Sequence, residues 1–162
     1  GYFTAPLGCL GVEPSVPMAS LGRSLRGVDA VQGRAEALPI RGGAVGSAFL
    51  IVTLCFLPNP VEALVEVRRA MRPGGSAVAC IIPRESVWAD VYEKRAAEGD
   101  PFYSAARFYY VDEVRSMFSS AGFRFDAAVA TLTYGPNDRP RPEAPRPYSG
   151  EEGFVCLRFK AV

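Results

Sequence analysis

The sequence predicts an α/β fold built on a mainly parallel sheet. Continuous apolar stretches at residues 47–54 and 76–82 are typical of parallel strands that are covered on both faces. Between them lies a helical pattern that begins after Asn59 and Pro60 and is ended by the Pro-Gly-Gly turn at 73–75. The order strand, helix, strand indicates a crossover between two neighbouring parallel strands.

The first third of the chain predicts a similar unit. A short apolar run at 9–12 lies between Gly8 and Pro14 and predicts a buried strand. Ser15 is a plausible N-cap for a helix over 15–26. Residues 28–32 then predict a second short strand.

The second half predicts two amphipathic helices and two further strands. Residues 135–150 hold five prolines, so we expect an irregular connection there. The predicted elements are helices over 85–97 and 112–121 and strands over 123–134 and 154–159. A length of 162 residues predicts one domain, 1–162.

Composition excludes several functions. Eighteen Lys and Arg balance 17 Asp and Glu, which argues against a nucleic-acid-binding face. Histidine is absent, so no Ser-His-Asp triad, Cys-His pair or HExxH zinc helix can form. No apolar run approaches the roughly 20 residues that span a bilayer, and no leader pattern opens the chain. We therefore expect a cytoplasmic protein that binds neither membrane nor nucleic acid.

The four cysteines are scattered among apolar residues without a CxxC spacing. This pattern disfavours a zinc site or a redox pair. We expect Cys9, Cys55, Cys80 and Cys156 to be buried, reduced thiols.

Five segments together resemble the class I S-adenosylmethionine (SAM)-dependent methyltransferases, in particular the broad small-molecule group that includes ubiquinone-biosynthesis-type enzymes. The segments are GVEPS (11–15), QGRAEALPI (32–40), LCFLPNPVEAL (54–64), VRRAMRPGGSAVACI (67–81) and RSMFSSAGFRF (115–125). The stretches PRESVWADVYEK and DPFYSAARFYY are similar to a narrower bacterial subgroup of that family.

The resemblance implies a Rossmann-like, seven-stranded sheet of order 3-2-1-4-5-7-6 with the last strand antiparallel. It also implies a substrate lid at about 84–110, inserted after the fifth strand. Gly1 matches the last glycine of the family's cofactor-binding turn. The first strand, which precedes that turn, is not in this sequence, so we expect upstream residues in the native protein.

The resemblance further implies a SAM site without a metal. Glu13 matches the acid that binds both ribose hydroxyls, for which a carboxylate offers several acceptor positions. Family members often carry an aspartate that accepts a hydrogen bond from the adenine amino group. This chain has Arg34 at that position, and Arg34 cannot accept a hydrogen bond. The resemblance therefore implies that Glu36 or backbone groups contact adenine instead. The complete set of expected cofactor contacts is Gly1, Glu13, Pro14, Arg34, Ala35, Glu36, Leu54 and Cys55.

The expected reaction is methyl transfer to a small-molecule acceptor by direct displacement, which needs no histidine. Aromatic and charged residues of the lid could bind that acceptor. The expected substrate contacts are Arg84, Tyr92, Phe102, Tyr103 and Arg107, and the weak candidates for a catalytic base are Glu85, Tyr103 and Tyr109.

Two alternatives stay open from the sequence. One is a methyltransferase-like binding domain without catalysis, because Arg34 departs from the family pattern and the glycine turn is incomplete. The other is an NAD-type Rossmann oxidoreductase, in which an acid after the second strand also binds ribose.

Overall fold

The computed structural model describes residues 1–162 and contains five α-helices, two short 3-10 turns and six strands in two separate sheets. The helices are α1 (Thr4–Leu7), α2 (Val16–Arg26), α3 (Pro60–Ala70), α4 (Val87–Ala97) and α5 (Val111–Ser120). The strands are β1 (Gly11–Glu13), β2 (Ala30–Gln32), β3 (Val45–Ile51), β4 (Met71–Ile81), β5 (Phe123–Thr131) and β6 (Phe154–Ala161). The 3-10 turns are Leu54–Phe56 and Tyr103–Ala105.

The larger sheet has the strand order β3-β4-β6-β5. β3 pairs parallel with β4, whereas β6 is antiparallel to both of its neighbours. Consequently β3, β4 and β5 end, and β6 begins, at one edge, which we call the carboxyl edge. The segments that cover it are 52–56, 82–110 and 132–153. Ligands of open α/β sheets bind outside the carboxyl ends of the strands, so this edge is where a site is expected.

The smaller sheet consists of β1 and β2, which pair in parallel. Its strand β1 is half-buried, and Leu10 just before it is 55% exposed. The prediction of a buried strand over 9–12 is therefore wrong in both position and burial. Ser15 caps α2 as predicted, because its hydroxyl accepts a hydrogen bond from the Met18 N–H.

The loop at 33–44 carries the chain from the small sheet to α3. The Leu38 N–H donates to Glu66 Oε1 at 3.0 Å, and the Arg69 guanidinium donates to the Ile40 carbonyl at 2.7 Å. Arg69 also pairs with Glu66 at 2.7 Å. These contacts hold the loop on α3 although the two sheets share no strand pairing.

α3 confirms the predicted crossover helix, with differences at both ends. Pro60 occupies the first turn, but the Asn59 side chain makes no capping hydrogen bond. The helix ends at Ala70 rather than at the Pro-Gly-Gly turn, because Met71 already has an extended backbone. The turn instead forms an irregularity inside β4, and regular pairing with β3 begins at Ser76.

The core lies where α3 and α5 pack against the large sheet. Phe118 of α5 stacks on Phe159 of β6 with their ring centroids 3.8 Å apart, and both side chains are fully buried. Leu64 of α3 and Val114 of α5 are completely buried in the same cluster. No helix in the structure combines the length and hydrophobicity that crossing a bilayer requires.

Cys80 of β4 and Cys156 of β6 form a disulfide. The two residues lie directly opposite each other in the antiparallel pair. The prediction of four buried, reduced thiols is therefore wrong for this pair, while Cys9 and Cys55 are free thiols that are only partly buried. Cysteines 76 residues apart give no local spacing signal, so the pairing became visible only with the strand register.

Candidate functional site

Two non-glycine residues with a left-handed backbone lie at the carboxyl edge. Val52, directly after β3, has φ +50°, and Leu132, directly after β5, has φ +60°. A β-branched or bulky side chain in this region costs about 1–3 kcal/mol and tends to occur at functional sites. The strain lies where the chain turns from the strands into the segments that cover this edge.

Glu13 ends β1, at the same end of the small sheet from which α2 begins. Its Oε1 accepts a hydrogen bond from the Ser15 N–H at 3.0 Å. Its Oε2 accepts none within the protein, and the residue is only half-buried. The carboxylate is thus oriented by the backbone and keeps acceptor capacity for an external ligand.

The segment that follows β2 carries an unsatisfied acceptor. Glu36 has a side chain that is 11% exposed, and its Oε2 lies 3.6 Å from Arg34 Nε. Its Oε1 is buried and has no hydrogen-bond partner. The adjacent Ala35 N–H also makes no hydrogen bond within the protein. Buried polar groups are normally paired, so the unpartnered Glu36 Oε1 is a candidate ligand contact.

An open cleft of about 440 Å³ lies between the turn after β3, the start of α3 and the end of the lid. Its lining is mainly apolar and contains one charged residue, Arg107. The lining residues are Cys55, Phe56, Leu57, Pro58, Pro60, Val61, Ala105, Arg107, Tyr109 and Met117. A narrower cavity beside the ends of β3 and β4 shares Cys55, Arg107 and Tyr109 with the cleft.

Three expected site residues therefore meet in the cleft. The Arg107 N–H donates to the Cys55 carbonyl at 2.8 Å, which joins the lid to the turn after β3. The Arg107 guanidinium lies over the Tyr109 ring, 4.9 Å from its centroid. Burial raises the pKa of the Cys55 thiol to about 11, so Cys55 stays protonated and is not a nucleophile.

Leu54 and Phe102 lie next to these residues. Leu54 is fully buried and lines only the narrow cavity, so it contributes mainly to the core. Phe102 is largely exposed and packs on Phe56 with ring centroids 4.8 Å apart, at the side of the cleft.

Other expected site residues hold the lid together. The ring of Tyr92 in α4 stacks on the ring of Tyr103, with their centroids 4.6 Å apart. The ring of Phe108 lies nearly parallel to that of Tyr92, with their centroids 6.1 Å apart. Arg84 pairs with Glu93 of α4 at 2.8 Å. Neither tyrosine nor Arg84 lines the cleft.

Glu85, Gly1 and Pro14 are also outside the cleft. Glu85 Oε1 accepts hydrogen bonds from the Tyr148 hydroxyl at 2.7 Å and from the Val111 N–H at 3.5 Å. Gly1 packs against Gly22 and Val28, where β2 begins, whereas Glu13 lies at the opposite end of the small sheet. The Pro14 carbonyl accepts from the Gln32 side chain. Their expected roles stay predictions.

Sequence reasoning missed six residues that line the cleft, which are Leu57, Pro58, Pro60, Val61, Ala105 and Met117. The first four belong to the LCFLPNPVEAL segment, whose match to the family could have suggested them. Met117 comes from α5, where it is partly buried against the core, and no sequence signal pointed to it.

A buried carboxylate anchors the proline-rich connection over the carboxyl edge. The Glu152 side chain is 0% exposed and accepts from the Ser149 N–H, the Ser149 hydroxyl and the Arg146 guanidinium at 2.9–3.0 Å. Burial acts to raise the pKa of Glu152, but these hydrogen bonds outweigh it and lower the pKa to about 2. These contacts hold this end of the proline-rich connection in place beside the lid.

We expect the stability that Glu152 provides to be present above pH 4.5 and to be lost as the pH falls toward 2, because its folded-state pKa lies below its unfolded-state value. The Glu152→Gln variant should lose about 1–2 kcal/mol at pH 7, since the half-exposed Arg146 is partly screened by solvent. Urea unfolding measured from pH 2 to 7 tests this. Glu151→Gln, an exposed neighbour, is the control; a pH slope between 4.5 and 2 that is the same in both variants contradicts the prediction.

Parallel strands with free acceptors beyond their carboxyl ends are the arrangement at which Rossmann-like proteins bind nucleoside cofactors. A family model described as a methyltransferase domain matches residues 1–79. A SAM-dependent methyltransferase from Thermotoga maritima, described as a possible histamine N-methyltransferase, is 36% identical with a TM-score of 0.90, covering 98% of this chain and 75% of that chain. The chain therefore belongs to the class I SAM-dependent methyltransferases.

The chain is also similar to other proteins. An uncharacterised protein of Mycobacterium tuberculosis is 36% identical over 137 residues, which are 84% of this chain and 48% of that protein. The chain thus spans about half the length of its mycobacterial relatives. The CcbJ methyltransferase from Streptomyces caelestis shares the fold, with a TM-score of 0.69 at 16% identity over 99% of this chain and 78% of that chain.

Proposed function

We propose that the protein transfers a methyl group from SAM to a small-molecule acceptor. The observation that carries this proposal is the buried Glu36 Oε1, which lacks a partner, in the residue that follows Ala35, whose N–H makes no hydrogen bond within the protein. The Watson–Crick edge of adenine presents an amino donor next to a ring-nitrogen acceptor, which complements this pair. Family membership supports a SAM cofactor and gives no support to the oxidoreductase alternative.

The remaining cofactor contacts follow from the chain's own groups. The free Oε2 of Glu13 offers an acceptor to the ribose hydroxyls, and the Ser15 N–H holds the carboxylate in place. Arg34 stays near Glu36 Oε2 and orients the side chain, rather than contacting adenine itself. Two carboxylates and one free N–H thus fit an adenosine, so the residues present suit the cofactor.

SAM, when bound, supplies an activated methyl group. The cleft beside Cys55 would align the acceptor with the methyl group, and positioning alone can contribute roughly 7–11 kcal/mol. Burial keeps the Cys55 thiol protonated, so it is a poor nucleophile and the proposed transfer is direct.

We also propose that the two sheets are parts of one sheet of order 3-2-1-4-5-7-6 in the full-length protein. β1 and β3 each lack a partner on one side, and a two-stranded sheet of three-residue strands is marginal by itself. A further strand between β1 and β3 would pair with both and cover the exposed Phe49.

The proposal is tested by calorimetric titration of the full-length protein with S-adenosylhomocysteine, its inosine analogue and NADH. S-adenosylhomocysteine should bind roughly tenfold or more tightly than the inosine analogue, because hypoxanthine presents a carbonyl to Glu36 where adenine presents a donor. The Glu36→Gln variant should narrow that ratio, since its amide can donate to the carbonyl. Absence of S-adenosylhomocysteine binding, or preferential NADH binding, overturns the proposal.

A further inference from the structure

The cleft beside Cys55 has a charge and hydrogen-bond pattern that is specific enough to name a ligand class. Seven of its ten lining residues are hydrophobic, and Arg107 is the only charged residue that lines it or the adjoining narrow cavity. We propose that the methyl acceptor is a small apolar molecule that carries a carboxylate, which Arg107 and Tyr109 bind. This inference rests on the proposed function, because it names the substrate class of the same site.

Tyr109 provides a hydrogen-bond donor that the protein itself does not use. The residue is 4% exposed and lines both cavities, yet its hydroxyl makes no hydrogen bond within the protein. The hydroxyl therefore keeps both its donor and its acceptor positions for a ligand in the cleft. Burial also raises the pKa of Tyr109, so the hydroxyl keeps its proton near neutral pH and donates to an anion.

The backbone of Arg107 is held in place, while its guanidinium makes no hydrogen bond within the protein. The backbone N–H donates to the Cys55 carbonyl, and the guanidinium lies over the Tyr109 ring, so the guanidinium and Tyr109 lie together in the cleft. The side chain is 72% exposed, and its nearest acid is Glu113 at 3.9 Å. At this distance the guanidinium makes no hydrogen bond to Glu113, whose Oε2 accepts from the Tyr110 N–H, so the guanidinium donors stay available to a ligand.

The start of α3 also lines the cleft, through Pro60 and Val61. Pro60 has no N–H, and Glu62 in the first turn offsets the positive end of the helix, so this part of the lining adds no strong charge of its own. No acidic side chain lines the cleft, so an ammonium group would find a cation and no counter-charge there. The pattern thus differs from what an amine acceptor needs.

Three probes of nearly the same shape test the proposal: phenylacetate, phenylacetamide and phenethylamine, which are anionic, neutral and cationic. Each is titrated into full-length protein that is saturated with S-adenosylhomocysteine. Phenylacetate should bind roughly tenfold or more tightly than either other probe, because its contacts are charge-assisted. Equal or tighter binding of phenethylamine, or no binding of phenylacetate to cofactor-loaded protein, overturns the inference.

Single substitutions test whether Arg107 and Tyr109 contact the carboxylate directly or whether any nearby positive charge would do. Arg107→Gln should bring the three affinities within about threefold of one another, and Tyr109→Phe should weaken phenylacetate about three- to fivefold. Arg115→Gln is the matched control, because Arg115 also lies over an aromatic ring, Phe125, and pairs with an acid, Asp112, yet does not line the cleft. It should leave all three affinities unchanged. Retained preference for phenylacetate in Arg107→Gln overturns the assignment.

The two levels of the proposal fail differently. If S-adenosylhomocysteine does not bind, the proposed function falls and the substrate class falls with it. If S-adenosylhomocysteine binds and the probes show no preference for the anion, the methyltransferase proposal stands and only the carboxylate class is lost.

Discussion

The Glu13→Ala variant should bind S-adenosylhomocysteine roughly 100-fold more weakly than the wild-type protein, which corresponds to about 2.7 kcal/mol. The proposed contact joins two neutral ribose hydroxyls to one carboxylate, and hydrogen bonds to a charged group contribute about 1.5–3 kcal/mol. Calorimetric titration of the full-length protein measures the loss directly. We expect this to be the largest effect of any single substitution in the cofactor site, because Glu13 would make two contacts and Glu36 one.

Two controls isolate the ribose contact. Glu13 also accepts from the Ser15 N–H, so the melting temperature of each variant shows whether the turn after β1 is intact. The Glu13→Ala change should weaken binding of a 2′-deoxy analogue of S-adenosylhomocysteine less than it weakens binding of the parent compound. The analogue already lacks one of the two hydroxyls that Glu13 would contact. Glu62→Ala, which removes an exposed acid of α3, should leave the affinity unchanged. Equal affinity of wild-type and Glu13→Ala proteins contradicts the assignment of Glu13.

The contacts at Glu13 and Glu36 differ in how they could be anticipated. An acid that ends a short strand before a turn is visible in the sequence, and the ordered segments after it suggested a cofactor. The free Glu36 Oε1 was not predictable, because it depends on Arg34 turning back to the other oxygen and on the burial of the side chain. What the sequence supported there was the expectation that Glu36 or backbone groups contact adenine, because Arg34 cannot accept a hydrogen bond.

Strands and helices were predictable where their patterns were long. β3 and α3 lie within a few residues of their predicted positions, because continuous apolar runs and a Pro-initiated amphipathic pattern are strong signals. The prediction for β1 was wrong because a run of four apolar residues defines neither the bounds of a strand nor its burial. The cleft could not be assembled from the sequence, since its walls come from segments as distant as 55–61 and 105–117.

The same limit applies to the lid aromatics. Tyr92 and Tyr103 belong to one aromatic-rich region, and composition alone could not say which rings face a ligand. The structure stacks these two on each other and leaves Tyr109 at the cleft. The difference arises from the hydrogen bond between Arg107 and Cys55, which fixes the direction in which the end of the lid approaches the sheet.

The disulfide between β4 and β6 should contribute strongly to the stability of the protein. Reducing the disulfide between Cys80 and Cys156 should lower the free energy of unfolding by roughly 2–4 kcal/mol. The bond closes a loop with a sequence separation of 76 residues, and a crosslink of that span removes much of the freedom of the unfolded chain. β4 and β6 are hydrogen-bonded over six register pairs, so the reduced protein should still fold.

Urea unfolding with and without a thiol reductant measures this effect, and a thiol count in denaturant shows the redox state. Two reactive thiols should appear before reduction, from Cys9 and Cys55, and four after it. The double variant Cys80→Ala/Cys156→Ala should be insensitive to the reductant, whereas Cys9→Ala/Cys55→Ala should keep the full response. Four reactive thiols in protein purified without reductant, or an unfolding midpoint that reductant does not move, show instead that the pair is not joined. A stable bond at this position is atypical of a reducing compartment, so the thiol count also tests the expectation of a cytoplasmic protein.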